Sequence, residues 1–318
     1  MKGSYSIIVS NNKLHYKFEV HRNLTIIRGD SATGKTTLYS MISDYSALGK
    51  KSGVKIQCDR NCVVLPIKNW EAALKSIKNS IVFIDEGNED ITTPAFAREI
   101  KKTDNYYVFF VRENLYELPY SVEEIYKVEN KGKKHWLEKI YKTGKDHIIS
   151  NTTKLNFDTI LTEDSNSGYQ FFSEYARFIS KDCHSASGKT NVYSWIKEHS
   201  GEKILTIVDG AAFGPEIDLV DKLDQQERFN VSVCVPESFE WLILNSGILP
   251  SAEISGILEN PGKHIESKDY FSWEQYFTYL LQETTKNTVF AYTKKRINKR
   301  MLSAENIQKI MEWLNKRL

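Results

Sequence analysis

At 318 residues the chain has room for one large or two medium domains, and 41 % hydrophobic against 26 % charged residues is the balance of an ordinary globular protein. A formal net charge of only +2 excludes a globally basic nucleic-acid coat, though not a local basic groove. There is no run of roughly 18 apolar residues to span a membrane, and Met1-Lys2-Gly3-Ser4-Tyr5 lacks the apolar core of a secretory leader, so a cytoplasmic protein without membrane contact is expected. Cys58, Cys62, Cys183 and Cys234 are scattered, and no second Cys/His pair at zinc spacing accompanies the first two, so free thiols are expected.

Tyr5–Val9 and Leu14–Val20 alternate around Ser10-Asn11-Asn12-Lys13, which predicts a hairpin leading to the buried strand Leu24–Ile27. Next comes Gly29-Asp30-Ser31-Ala32-Thr33-Gly34-Lys35-Thr36, a match to GxxxxGK[ST], followed by Thr37 and a helical pattern with Leu38 and Met41 on one side. Strand, glycine loop and helix are the context a phosphate-binding loop needs. Backbone N–H groups from Ala32 to Thr36 would converge on phosphate oxygens at the positive end of the helix dipole. Lys35 would reach the β- and γ-phosphates, and the Thr36 hydroxyl would ligate Mg²⁺. The guanine signature NKxD is missing, since Asn298-Lys299-Arg300-Met301 lacks the aspartate, so ATP is expected by default.

Short strands are predicted at Val54–Gln57 and Cys62–Leu65, and a helix at Trp70–Ile77. Ile81-Val82-Phe83-Ile84 is then closed by Asp85 and Glu86, the pattern of a Walker B strand. A buried strand with an acid at its tip can hold the Mg²⁺ water shell, and a second carboxylate can polarise the attacking water. Asp85 takes the first role and Glu86 the second; the plain alternative is an acidic turn. Tyr106–Val111 is another buried strand, ending in Arg112-Glu113-Asn114, where Arg112 could read a γ-phosphate or be a solvated loop residue. After a strand at Glu124–Val128, the basic stretch Asn130–Lys134 reads as a boundary, giving domains 1–150 and 151–318. No LSGGQ-like signature occurs, so dimerisation in the ABC-transporter manner has no visible support.

In the second half Thr159–Thr162 leads to Glu163-Asp164, and Lys203–Val208 leads to Asp209-Gly210-Ala211-Ala212-Phe213-Gly214. Tyr169–Ile179 between them is helix-like, and Ser187–Asn191 is a loop opening a helix at Val192–Lys197. A strand at Asn230–Val235 and a helix starting within Pro236–Glu240 complete a second parallel α/β unit. In such sheets the carboxyl ends of the strands form the site, which would gather Glu163, Asp209 and Glu237, with Lys189 as counter-ion.

These acid-tipped strands resemble the TOPRIM domain of topoisomerases, primases and the OLD-family nucleases, and the OLD family joins an ATPase to a C-terminal TOPRIM nuclease in the order found here. The resemblance implies an α/β fold, a P-loop NTPase domain with a parallel sheet followed by a smaller TOPRIM-like domain and a helical C-terminus. It implies that Glu163 acts in acid/base chemistry or binds metal and that Asp209 is the first acid of a DxDxxG motif. Ala211 stands where the second acid belongs; Glu237 or Glu240 could supply a later one.

Beyond Leu249, the aromatic set Tyr270, Phe271, Trp273, Tyr276, Phe277 and Tyr279 reads as core, with base stacking the alternative. Lys294–Arg300 is the sharpest basic cluster, either a solvated face or a phosphate-backbone contact. A helix capped by Ser303 is predicted over Ala304–Leu318. The expectation is therefore an ATP- and Mg²⁺-dependent, homo-oligomeric protein whose ATPase domain gates a metal-dependent nuclease acting on DNA or RNA, of the kind found in anti-phage and mobile-element systems. The alternative is an ATP-driven switch whose second domain does not cleave but holds a partner protein or nucleic acid. A small-molecule kinase would use the same loop but needs an acceptor carboxylate and a lid.

Overall fold

Alternating burial in the first twenty residues produces β1 (Tyr5–Ser10) and β2 (His15–Val20), which pair antiparallel with Tyr5 opposite Val20. The computed structural model describes residues 1–29, 34–144, 147–149, 155–226 and 228–316. The chain is α/β and divides into two compact units, Met1–Tyr141 with Asn260–Ser272, and Lys142–Glu259 with Trp273–Leu318.

In the first unit β3 (Leu24–Arg28) is buried along its whole length, polar Thr25 and Arg28 included, as a strand flanked on both sides in a parallel sheet is. It is followed by α1 (Lys35–Leu48), β4 (Lys55–Gln57), β5 (Asn61–Val64), α2 (Trp70–Ser76), β6 (Ser80–Asp85), α3 (Pro94–Lys101), β7 (Tyr106–Phe110), β8 (Ile125–Lys131) and β9 (Lys134–Lys139). Among the described residues nine strands form one sheet in the order β4-β1-β2-β9-β8-β3-β7-β6-β5. Its β8-β3-β7-β6-β5 half is parallel. Leu38, Met41 and Ile42 of α1 pack with Ile27, Phe83 and Phe110 in the core of this unit.

Two expectations are corrected by this arrangement. The basic stretch Asn130–Lys134 is a hairpin turn, with Gly132 at φ 65° letting β9 fold back on β8 and Lys131 facing Lys134. The boundary lies instead after Tyr141, and the chain returns to the first unit over Asn260–Ser272. That return is held by polar groups: the Met1 ammonium donates to Ser267 Oγ at 2.7 Å, and the Asn23 side chain donates to the Ser267 and Tyr270 carbonyls at 3.0 and 3.1 Å.

The second unit comprises β10 (Ile148–Ile149), β11 (Thr159–Thr162), α4 (Ser167–Phe178), β12 (Asp182–Ser185), α5 (Val192–Glu198), β13 (Lys203–Ile207), α6 (Gly214–Asp224), β14 (Asn230–Cys234), α7 (Phe239–Asn245), α8 (Ala252–Glu259), α9 (Trp273–Thr285), α10 (Ala304–Ile310) and α11 (Glu312–Asn315). Its sheet runs β10-β14-β13-β11-β12, parallel except for β10. β12 carries no apolar signal in Asp182-Cys183-His184-Ser185 because it is an edge strand paired only with β11. Phe271 in the first unit, and Tyr276 and Phe277 in the second, are buried, whereas Tyr279 is exposed. The C-terminal helix breaks at Met311 into α10 and α11, with Ser303 capping the Asn306 N–H. Among the described residues no helix is long and apolar enough to cross a membrane.

Candidate functional site

The first site is assembled by strand order. β7 lies between β3 and β6, with Ile27 and Asp85 both in register with Phe110. Three strand ends therefore finish at one level, and Arg112, just beyond β7, falls between the end of β3 and the end of β6. Gly29 leaves β3 at φ 140°, and Gly34 enters α1 at φ 95°, a left-handed conformation costly for any residue with a Cβ. The Gly34 carbonyl accepts from the Tyr16 hydroxyl at 3.2 Å, and a Cβ here would meet that same hydroxyl at 3.2 Å. Asp30, Ser31, Ala32 and Thr33 lie outside the described residues.

Lys35, the first residue of α1, is only 4 % exposed, and its Nζ has no hydrogen-bond partner among the described residues. Its ion-pair contact is Glu86 Oε2 at 3.8 Å, and Glu86 Oε1 lies 3.2 Å from Arg112 Nε. Burial holds the Lys35 amine below its ordinary range against the pull of Glu86, with Arg112 lowering it further and Asp85 acting the other way. Asp85 accepts from the Gly87 N–H at 3.4 Å, and Thr36 and Thr37 are exposed at the start of α1. A cavity of about 400 Å³ adjoins Glu86 and Arg112, walled by Asn88, Ile91, Val111 and Leu115.

The second site follows from the crossover pattern. The chain runs from β11 outward to β12, then back past β11 to β13, so the direction of winding reverses between β11 and β13. A crevice opens at the carboxyl ends of the strands at such a point. Glu163 follows β11 and Asp209 follows β13, and the Asp209 N–H donates to Glu163 Oε2 at 3.2 Å. Asp209 Oδ1 accepts the Phe239 N–H at 3.0 Å, tying the site to the start of α7. Gly210 allows β13 and β14 to exit in close contact: its N–H donates to the Pro236 carbonyl at 2.6 Å, and a Cβ would sit 2.4 Å from the Val235 carbonyl oxygen. Gly214 opens α6.

Glu163, Asp209, Glu240 and Lys294 line a cavity of about 20 Å³, room for one water or ion. Glu240 replaces the expected Glu237 there, because α7 begins at Phe239 and turns Glu240 inward; the Glu237 carbonyl accepts the Ala211 N–H at 3.1 Å. Glu240 is 2 % exposed; its Oε1 accepts from the Tyr292 hydroxyl at 2.7 Å, and its Oε2 has no partner among the described residues. Ser167 Oγ donates to Tyr292 at 2.6 Å, closing the wall.

The counter-ion is also corrected. Lys189 does lower the Glu163 carboxyl electrostatically, but its direct contacts are with Glu216 Oε1 at 3.5 Å and the Ala212 carbonyl, at the start of α6. Lys294 is the amine at the cavity, in a salt bridge with Glu274. The run Lys294–Arg300 does not form a helix; Thr293 and Arg296 make a bridge, and a single 3₁₀ turn spans Lys299–Leu302. Nothing in the local sequence separates Lys294 from its basic neighbours, since only the tertiary fold sets it opposite Asp209.

Burial pushes the Glu163 carboxyl up to about 8, with the Glu274 carboxylate adding to it. Asp209 is driven well above the usual carboxylate range by burial first and Glu163 second. Burial opposes the charge on Lys294, yet Glu274, Asp209 and Glu240 raise it above the ordinary lysine range. Among the described residues the carboxyl groups of Glu163, Asp209, Glu240 and Glu274 thus outnumber the ammonium groups that act on them, Lys294 at the cavity and Lys189 on Glu163, and protons or a cation would make up the difference.

Among the described residues no group of three or more His, Cys, Asp or Glu is placed to hold a metal ion. Glu163 and Asp209 offer the hard carboxylate oxygens that Mg²⁺ takes, and Glu240 Oε2 has no partner among the described residues, but the cavity as it stands holds one water or bare ion and not a hydrated Mg²⁺. Comparison with family models and with curated proteins found no match.

Proposed function

We propose that the chain is an ATP-dependent two-domain protein, similar to a compact OLD-like ATPase–TOPRIM nuclease, in which a P-loop ATPase gates a Mg²⁺-dependent site acting on DNA or RNA. The observation that carries the reading is the Lys35 amine, buried at a helix N-terminus without a hydrogen-bond partner among the described residues. A desolvated ammonium is costly until an anion completes it, and the β- and γ-phosphates of ATP are anions suited to a lysine at the start of a helix. Thr36 and Asp85 would hold Mg²⁺, which when bound neutralises charge on the phosphate oxygens. Glu86 would then polarise the attacking water.

In the second unit Glu163 and Asp209 would hold the cation, which when bound would polarise a phosphodiester oxygen. The raised carboxyl of Glu163 suits proton exchange near neutral pH. Lys294 would face the phosphate. One observation favours the non-cleaving alternative: Ala211, at the position of the second motif acid, is 2 % exposed and offers no oxygen to the cavity.

Calorimetry with Mg·ATP, followed by incubation of plasmid, linear DNA and RNA with Mg²⁺ or Mn²⁺, tests both halves. Binding of ATP and metal-dependent cleavage that ends in Glu163→Ala is the expected outcome. ATP binding with no cleavage of any substrate would establish the switch instead, and absence of nucleotide binding would remove the whole reading.

A further inference from the structure

Between β3, β7 and β6 the described residues place two cations and two carboxylates around one position: Lys35 and Arg112, Asp85 and Glu86. Glu86 is shared, with one oxygen 3.8 Å from Lys35 and the other 3.2 Å from Arg112. The residue read as the base is therefore engaged by both cations. Resting on the ATP reading above, we propose that Arg112 is a nucleotide-state switch that pairs with Glu86 in the empty and ADP-bound forms and transfers to the γ-phosphate when ATP binds, which releases Glu86.

The electrostatics favour this exchange. A triphosphate arriving at Lys35 supplies the anion that Glu86 now only approximates, since Glu86 makes no hydrogen bond to the Lys35 amine. The same phosphate oxygens repel the Glu86 carboxylate and attract the Arg112 guanidinium, whose planar fork suits a phosphate. Arg112 has room to travel: its side chain is 56 % exposed, and Glu86 is 37 % exposed. The adjoining cavity of about 400 Å³ gives both side chains space. ADP lacks the γ-phosphate that draws Arg112 away, so Glu86 would stay held. Lys35 senses that a nucleotide is present, and Arg112 senses which one.

Arg112 on this account contacts the γ-phosphate directly, and the readout is the ratio of affinities rather than turnover. Calorimetry with Mg·ADP and with Mg·β,γ-imido-ATP on the full chain should show the triphosphate bound about tenfold or more tightly, as one charge-assisted contact provides. In Arg112→Ala that preference should fall to within about twofold while ADP affinity is unchanged or improved, and Arg112→Lys should restore part of it. Glu86→Gln should strengthen ADP binding several-fold, because the carboxylate competing for Lys35 has lost its charge. A preference that survives in Arg112→Ala, or an equal loss for both nucleotides, would overturn the switch and leave the ATP reading in place. Failure of the parent chain to bind either nucleotide would defeat the ATP reading itself, and the switch with it.

Discussion

Replacing Lys294 by methionine isolates the charge problem of the second unit, because the aliphatic stem is kept while the ammonium facing Asp209, Glu240 and Glu274 is removed. Breaking a buried pair by deleting one partner costs about 3–5 kcal/mol, but the Lys294 side chain is 37 % exposed and Glu274 19 %, so screening reduces this to about 2–3 kcal/mol. For a unit of this size each kcal/mol shifts the midpoint by about 2–4 °C, which predicts a loss of roughly 5–10 °C. The loss must depend on pH. Glu163 titrates near 8 in the folded chain and at its ordinary value of 4.5 when unfolded, so the native state binds more protons between those values, and stability falls as pH rises through that window. Below it, protons take over the role of the missing amine. Scanning calorimetry on the transition of the second unit should therefore show most of the loss at about pH 8 and less than half of it at about pH 5. Equal losses at both pH values, or no loss at either, would show that Lys294 is not the counter-charge of this cavity.

Lys35→Ala should reduce Mg·ATP affinity at least about a hundredfold by calorimetry, with the far-ultraviolet circular dichroism of the sheet retained, since removing a charge-assisted phosphate contact costs about 3 kcal/mol. Glu86→Gln should retain Mg·ATP while its hydrolysis, followed by phosphate release, slows at least about tenfold. Gly210→Ala should leave the second unit unfolded or destabilised by more than about 3 kcal/mol in a thermal scan, because backbone carbonyls rather than a movable side chain occupy the space its methyl needs. Millimolar Mg²⁺ should raise the midpoint of the second unit more at about pH 8 than at about pH 6, since at the lower pH the carboxyls it would bind hold protons.

Much of the framework was legible because its signals are local. An apolar run closed by Asp85 and Glu86 marks a buried strand with acids at its tip, and β6 ends at Asp85. The left-handed glycine before Lys35 is a requirement of one residue and its helix. Thr159–Thr162 and Lys203–Ile207 are strands because β-branched and apolar residues dominate them, and Glu163 and Asp209 follow them. Edge strand β12 gave no such signal, and the turn at Gly132 read as a boundary because a hairpin and a linker share the same polar composition.

What sequence alone determined was thus most of the strands, though not β9, β10 or β12, together with the acids at the ends of β6, β11 and β13, all products of periodicity and backbone sterics within a few residues. Only the tertiary structure decided which charges meet. The insertion of β7 between β3 and β6 brings Arg112 to Glu86, and the reversal at β11 and β13 joins Glu163 to Asp209. The turn of α7 selects Glu240 over Glu237, and the path of the chain beyond α9 brings Lys294 to the cavity in addition to the Lys189 charge that acts on Glu163. Coulombic partnership depends on distance in space, and residues separated by tens of positions in sequence carry no local mark of the neighbour that folding assigns them.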